Sequence, residues 1–168
     1  QPVRRVKPPS VGVEAVIKNA IDRFVVARLE RDDLKQPELA SATVFVRRAF
    51  LDLLGLPPTR GEWTHWVGRL DSNGDGTLDD LVVGELLDEL LGREQYGERW
   101  GRHWLDVARY SDVGGWSQDN RSRPKAWQYR DWVVRSFNRD MPYNDFVRNQ
   151  IVGDQIGRDE AIGTGFFA

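Results

Sequence analysis

Two stretches of the 168-residue chain carry side chains whose types and spacing could do chemistry. The first is Asp71-Ser72-Asn73-Gly74-Asp75-Gly76-Thr77-Leu78-Asp79. It matches the first nine places of a helix–loop–helix calcium loop. Asp71, Asn73, Asp75 and Asp79 put oxygens at the first, third, fifth and ninth places. The Thr77 carbonyl serves at the seventh, and Gly76 permits the sharp turn at the sixth. Leu78 at the eighth is the apolar anchor. A hard cation needs several oxygens converging on one point, and a tight turn delivers alternate side chains there. The departure is the twelfth place, where a bidentate Glu belongs and Val82 stands. Asp80 and Glu85 are near without the standard geometry. The competing reading is a Gly- and Asx-rich turn between two helices with no ion.

The second stretch is Tyr96–Trp132, which holds five of the seven tryptophans and one of the two histidines. Asp106 is three residues after His103 and three before Arg109, so one helix face can hold all three. Arg130 and Asp131 follow among Trp127, Tyr129 and Trp132. One reading is a network of ion pairs, guanidinium groups stacked on indoles, that fixes how two helices pack. The other is a pocket: His103 as acid, base or ligand, Asp106 orienting it, and Arg109 or Arg130 gripping an anion. The 112–123 loop adds Trp116, Gln118 and Asp119, which suit a sugar or peptide contact or an ordinary surface loop. No Ser-His-Asp order, phosphate loop or second histidine at metal spacing names a reaction.

The elements that must position these residues read as helices. Apolar residues recur at helical spacing over about 14–31 (Ile17, Ile21, Phe24, Val25, Leu29) and over 41–55 (Val46, Phe50, Leu53, Leu54). In the latter, Ser41 caps the start, Gly55 ends the helix, and Arg47 and Arg48 read as solvated. Thr59-Arg60-Gly61-Glu62 is a capping box opening a helix with Trp63, Trp66, Val67 and Leu70 inward and His65 outward. A fourth helix runs to Leu91, with Leu81, Val82, Leu86 and Leu90 inward and Gly92 as its stop. A fifth covers 94–111, with Tyr96, Trp100, Trp104, Val107 and Tyr110 on one broad face. A sixth, opened by Pro124, runs to about Arg139 with Ala126, Tyr129, Val133 and Phe137 inward. A short seventh covers 144–152 with Phe146, Val147 and Ile151. No stretch alternates with period two long enough for a strand. The expectation is all-α: a single orthogonal domain of about six to seven helices with one EF-hand-like helix–loop–helix. Residues 1–13, with Pro2, Pro8 and Pro9, read as a linker. Residues 14–168 read as the helical domain, cut from a longer protein.

Composition bounds the rest. Hydrophobic residues make up 40% and charged residues 30%, the balance of a folded globular chain. With 24 basic and 26 acidic residues the net charge is −2, which argues against nucleic acid. No apolar run reaches the length of a membrane span. The lack of cysteine removes disulfides, thiolate metal sites, a cysteine nucleophile and covalent haem attachment from this chain.

NAIDRFVVARLE, RRAFLDLLGLPPT, YGERWGRHWLDVARYSD, RPKAWQYRDWV, NRDMPYNDFVRNQIVGDQI and GTGFF follow one another over nearly the whole chain. Together they resemble the domain of unknown function 1549 family, which accompanies planctomycete cytochrome-c domains. The resemblance implies an exported, periplasmic or cell-surface multidomain protein whose partners are neighbouring cytochrome-like domains. Its family pattern continues into a Cys-x-x-Cys-His segment for haem c. That segment is absent here, so haem belongs to the parent protein and to no residue of this chain. The 71–79 loop is a local departure from the family pattern, and an exported setting would supply millimolar calcium. Two functions follow: a non-catalytic helical module stabilised by calcium, or an enzyme or glycan-binding domain built on 94–139. A redox partner suits the first and a glycan the second.

Overall fold

The computed structural model describes residues 5–12, 16–111 and 125–167. The chain divides into two compact units, 1–40 and 41–168. In the first, residues 5–12 form no helix or strand, and α1 spans Ala20–Arg31. The helix starts later than the apolar spacing predicts. Asn19 accepts from the amides of Ile21 and Asp22, and Asp22 accepts from the Asn19 amide, so a capping box sets the start. Its expected apolar face is also corrected. Val26 is the buried residue of α1, whereas Ile21, Phe24 and Val25 are 71%, 43% and 53% exposed. Side chains tie the lead to the helix and to the segment after it: the Gly12 amide donates to Glu30 at 2.8 Å, and the Val16 amide to Gln36 at 2.9 Å.

The second unit opens with α2 (Ala42–Leu54), α3 (Arg60–Leu70) and α4 (Asp80–Leu91) around one core. Val46, Phe50, Leu54, Trp66, Leu70, Leu86 and Leu90 are buried there. Gly55 stops α2 in the left-handed region at φ 72°, where a side chain is strained. Thr59 and Glu62 make the reciprocal cap on α3. Two expected core residues point out: Leu81 is 80% and Trp63 38% exposed. Val82, Leu86 and Leu90 repeat every four residues and take the inward stripe, and Leu81, one step round the helix, is turned away. His65, Arg47 and Arg48 are exposed as expected.

The remainder comprises α5 (Glu94–Val107), α6 (Ala126–Asn138), α7 (Tyr143–Ile156), α8 (Arg158–Ala161) and a 3-10 turn over Ile162–Phe167. Among the described residues there are eight helices and no strand. α5 ends four residues before the expected stop. Arg109 turns into the left-handed region at φ 52°, and the Tyr110 amide reaches back to the Leu105 carbonyl at 2.9 Å. Of its expected face, Tyr96, Trp104 and Tyr110 pack on the two cores. Gly97 and Gly101 are buried, while Val107 is 67% exposed and Trp100 37%. The glycines let α6 approach closely. A Cβ on Gly97 would lie 2.5 Å from the Val134 carbonyl oxygen and from Asn138 Oδ1. α6 buries Tyr129, Trp132, Val133 and Ser136, the serine donating to the Trp132 carbonyl at 2.8 Å. α7 starts after Pro142, continues past the expected end and bends at Val152, and Ile151 is 59% exposed. Tyr129, Trp132, Val133 and Phe146 form the second core, with Trp104, Phe137, Ile162 and Phe166 packed on it.

The two glycines of the α5–α6 seam separate close approach from propensity. Gly97→Ala, with carbonyl oxygen in the way, should lose about 2–3 kcal/mol in urea unfolding. Gly101→Ala meets Val133 and Val134 at an ordinary 3.5 Å. It should be neutral or gain up to about 1 kcal/mol from helix propensity. Equal losses at both positions would refute the close-approach account.

Candidate functional site

The 71–79 loop folds around its own amides. Asp71 Oδ1 accepts from the Gly76 amide at 3.2 Å, closing a five-residue span. Asp75 Oδ1 accepts from the Thr77 amide at 2.8 Å and its hydroxyl at 2.5 Å. These bonds, the hydroxyl's first, hold the Asp75 carboxyl below its ordinary pKa. Asp79 Oδ1 accepts from the amides of Leu81 and Val82 and so caps α4. Gly74 and Gly76 take positive φ, 67° and 80°. Leu78 packs against the α2–α4 core. Val82, at the twelfth place, is 9% exposed and lies in that core. Glu85 pairs with Arg69, whose guanidinium sits 5.2 Å over the Trp66 ring. Gly76 thus makes the turn at the sixth place, Leu78 lies against the core at the eighth, and Asp79 at the ninth serves as the cap of α4. The loop's carboxylates face backbone donors, and among the described residues no three His, Cys, Asp or Glu are gathered to hold a metal.

The tryptophan-rich stretch is divided between two concavities. His103, Asp106 and Arg109 are exposed on α5 and its end. The His103 ring lies 5.4 Å from that of Trp100. Asp106, Arg130 and Asp131 line a groove of about 1000 Å³ between α5 and α6, with Glu98, Arg102 and Arg135 also on its walls. There Arg130 Nε meets Asp131 Oδ1 at 3.1 Å, an adjacent pair with both side chains about 40% exposed. Arg109 lines a different cavity, of about 590 Å³. Trp116 and the rest of the 112–123 loop, with Pro124, lie outside the described residues.

The bonds that clamp the helices are elsewhere. Trp104 Nε1 donates to Gln150 Oε1 at 2.9 Å, and the Tyr129 hydroxyl donates to the same oxygen at 2.7 Å. Gln150 Nε2 in turn donates to the Phe146 carbonyl. One buried amide therefore joins α5, α6 and α7. Burial pushes the Tyr129 phenol's pKa up. Around this node Trp132 stacks on Phe146 at 5.2 Å, and Trp104 meets Phe146 edge-on at 4.9 Å. In the first core Arg93 plays the joining part. Its guanidinium donates to Glu62 at 2.7 Å, pairs with Glu89 and lies 5.3 Å over the Phe50 ring. Gln150 carries no spacing signal, and Arg93 only its four-residue step from Glu89. Their roles come from which helices meet, not from local pattern.

The family PSCyt2, described as "Protein of unknown function (DUF1549)", matches residues 20–168. The chain belongs to this family. No curated protein matches the chain, and no solved structure does. The match confirms the resemblance carried by the tryptophan-rich segments. In this PSCyt2 member those segments supply the α5–α6 pair and its aromatic core.

Glu62 gives a pH test of the α3 cap and its tie to Arg93. The Thr59 hydroxyl first, then the Thr59 amide and Arg93, hold its carboxyl below the ordinary 4.5. A depressed folded pKa contributes stability that is full above the unfolded value and lost as pH falls through the folded one. The melting temperature should therefore drop as pH is lowered below about 4.5. Glu62→Gln should be less stable at pH 7 and show a shallower acid decline. An unchanged acid slope would refute the assignment.

Proposed function

We propose that this PSCyt2 chain is a non-catalytic helical module of an exported multidomain cytochrome-c-like protein, with Asp71–Asp79 binding calcium and holding the α3–α4 turn. The observation that carries the scaffold reading is the distribution of the polar residues of α5 and α6. Asp106 and Arg109 open onto different concavities, and His103 lines neither. The expected base, orienting carboxylate and anion grip, His103, Asp106 and Arg109, therefore do not share one concavity, as a reaction centre built on them would require. What converges is packing, at Gly97 and at the Gln150 node. A module of this kind positions its neighbours, here cytochrome-like domains of the same polypeptide, and haem c belongs to those domains.

Calcium is supported by the loop's frame. Gly76 turns at the sixth place, its amide closes onto Asp71, Leu78 anchors the eighth place, and Asp79 at the ninth starts α4. Asp71, Asn73, Asp75 and Asp79 with the Thr77 carbonyl would supply the oxygens, and water would complete the shell that Val82 leaves short. Asp71 and Asp75 must exchange amide donors for the cation. That exchange and the missing bidentate carboxylate make the site weak, in the range of about 0.1–1 mM typical of extracellular modules.

The test is a thermal melt with and without calcium. At about 10 mM calcium a site of about 1 mM should raise the melting temperature by about 3–5 °C. Magnesium should do much less. Asp71→Ala and Asp75→Ala should abolish the rise; Asp79→Ala is unsuitable because it also uncaps α4. No calcium-dependent shift in the parent chain would leave the bare turn as the loop's role.

A further inference from the structure

Asn73 is the one asparagine of the chain followed by glycine, and Asp75, two residues on, is the one aspartate so followed. An asparagine in such a pair can lose its amide without an enzyme. The next residue's backbone nitrogen attacks the side-chain carbonyl carbon, and a five-membered succinimide closes. A side chain on the following residue obstructs that attack, and glycine has none. In a folded protein the reaction then depends on whether hydrogen bonds hold the two reacting groups elsewhere.

The fold treats the two pairs differently. Asp75 Oδ1 accepts from the Thr77 amide at 2.8 Å and the Thr77 hydroxyl at 2.5 Å, and the Gly76 N–H donates to Asp71 Oδ1 at 3.2 Å. Carboxylate and attacking nitrogen are thus both engaged. Asn73 is exposed, and its carboxamide bonds to no described residue. The Gly74 N–H has only the Asp71 carbonyl, at a long 3.3 Å, and Gly74 lies outside any helix at φ 67°. The other described asparagines are held by their side chains. Asn19 caps α1, Asn138 spans Gly97 and Glu94, Asn144 donates to Asp145, and Asn149 donates to the Met141 sulfur.

We propose that Asn73 is a site of spontaneous deamidation in the folded protein. Hydroxide takes the Gly74 N–H proton, the nitrogen bonds to Asn73 Cγ, and the Cγ–Nδ2 bond breaks with release of ammonia. Water then opens the succinimide at either carbonyl. One opening leaves aspartate at this position. The other leaves isoaspartate, whose main chain runs through the former side chain and is one carbon longer. No oxidant or reductant is consumed. The two products change the loop in opposite ways. The aspartate adds a carboxylate at the third place, whereas the isoaspartate lengthens the turn that Asp71 and Gly76 close. Their effect on a cation rests on the calcium reading of this loop, in which affinity follows ligand charge. The deamidation itself does not.

The test is incubation of the whole chain in warm, mildly alkaline buffer without calcium, followed by peptide mass mapping. The peptide holding Asn73 should show the amide-to-acid mass gain before those of the other described asparagines. It should resolve into two products of equal mass, one of them methylated by protein isoaspartyl methyltransferase. Conversion in the native chain should run within a few-fold of its rate in guanidinium chloride, because no side-chain bond of the fold holds Asn73. Asp75 should isomerise in guanidinium chloride and stay intact in the native chain. Asn73→Gln, which can close only a slower six-membered ring, should lose the gain at that peptide. An Asn73 that converts in denaturant and persists in the native chain would overturn the proposal. So would a gain that appears first at Asn19, Asn138, Asn144 or Asn149, or one that survives Asn73→Gln. A parent chain whose melt ignores calcium would overturn the calcium reading alone and leave the deamidation, read by mass, standing.

Discussion

The close approach of α5 to α6 at Gly97 is the constraint on which the second core depends. Because Gly97 has no side chain, the Val134 carbonyl and the Asn138 side chain can sit where a Cβ would be. Asn138 then uses both ends of its amide, accepting from the Gly97 N–H at 2.7 Å and donating to the Glu94 carbonyl at 3.1 Å. A side chain at one end of α6 thus grips the first turn of α5 and fixes the register of the pair. Gly101, one turn on, continues the seam against Val133 and Val134. With the register set, Trp104 arrives beside Tyr129 and its Nε1 donates to the Tyr129 hydroxyl at 3.1 Å. That hydroxyl needs an acceptor in turn, since an unpaired buried donor costs about 1–3 kcal/mol. Gln150 supplies it and brings α7 into the same core. The sequence of dependence runs from a missing methyl group to a three-helix hydrogen-bond node.

Glycine is used the same way where α2 turns toward α5 and where α7 meets the chain's last helices. The Arg99 side chain lies across Gly55, its Cδ 2.9 Å from where a Cβ would stand. Its Nε is buried without a hydrogen-bond partner, so the stem's packing outweighs a polar cost. Gly153 lies against the Glu160 carbonyl, and Gly163 against Asn149 and Trp132. These contacts are between elements and leave no periodic trace. That is why helix spacing located α2, α3, α4 and α6 to within a residue or two of their ends, yet missed the glycine seam of α5. A reading based on apolar side chains cannot see a seam made of their absence. The same blindness put Val107 inside and left Trp132 out of the core. Capping chemistry was more legible than packing. Thr59–Glu62, Gly55 and Gly92 stand where their side chains, or lack of them, imply. Asn19 with Asp22 carries an equal signal that the apolar repeat from Ile17 onward obscured.

The candidate residues were legible by type and not by grouping. His103, Asp106 and Arg109 share a helical spacing, which brings them near one another along α5. It does not decide what else faces them. Asp106 opens toward α6 with Arg130 and Asp131, whereas Arg109 is carried past the helix end into a left-handed turn and opens toward Ile162 and Phe166. That separation follows from where α5 stops, four residues short of its pattern. The aromatic residues of the stretch divide. Trp104, Tyr129 and Trp132 go inward with their rings packed, whereas Trp100 and Trp127 are exposed like the charged residues around them. A sequence in which both classes alternate reads as one crowded site, and the fold sorts it into a core and two surfaces.

Val82 is where two demands on one residue meet. As the twelfth residue of the loop it should carry a carboxylate that grips a cation with both oxygens. As the third residue of α4 it lies against the α2–α4 core, 9% exposed, in line with Leu86 and Leu90. A Glu in that orientation would bury a charge among Val46, Phe50 and Leu70, a cost that only a bound ion could offset. The fold would then be stable only when loaded. With valine the core closes by itself, Asp79 still caps the helix, and the loop keeps its amide bonds without an ion. A cation bound by the remaining oxygens would therefore adjust the stability of an already folded turn. Calcium on such a loop would add to the stability of the domain and would not switch it.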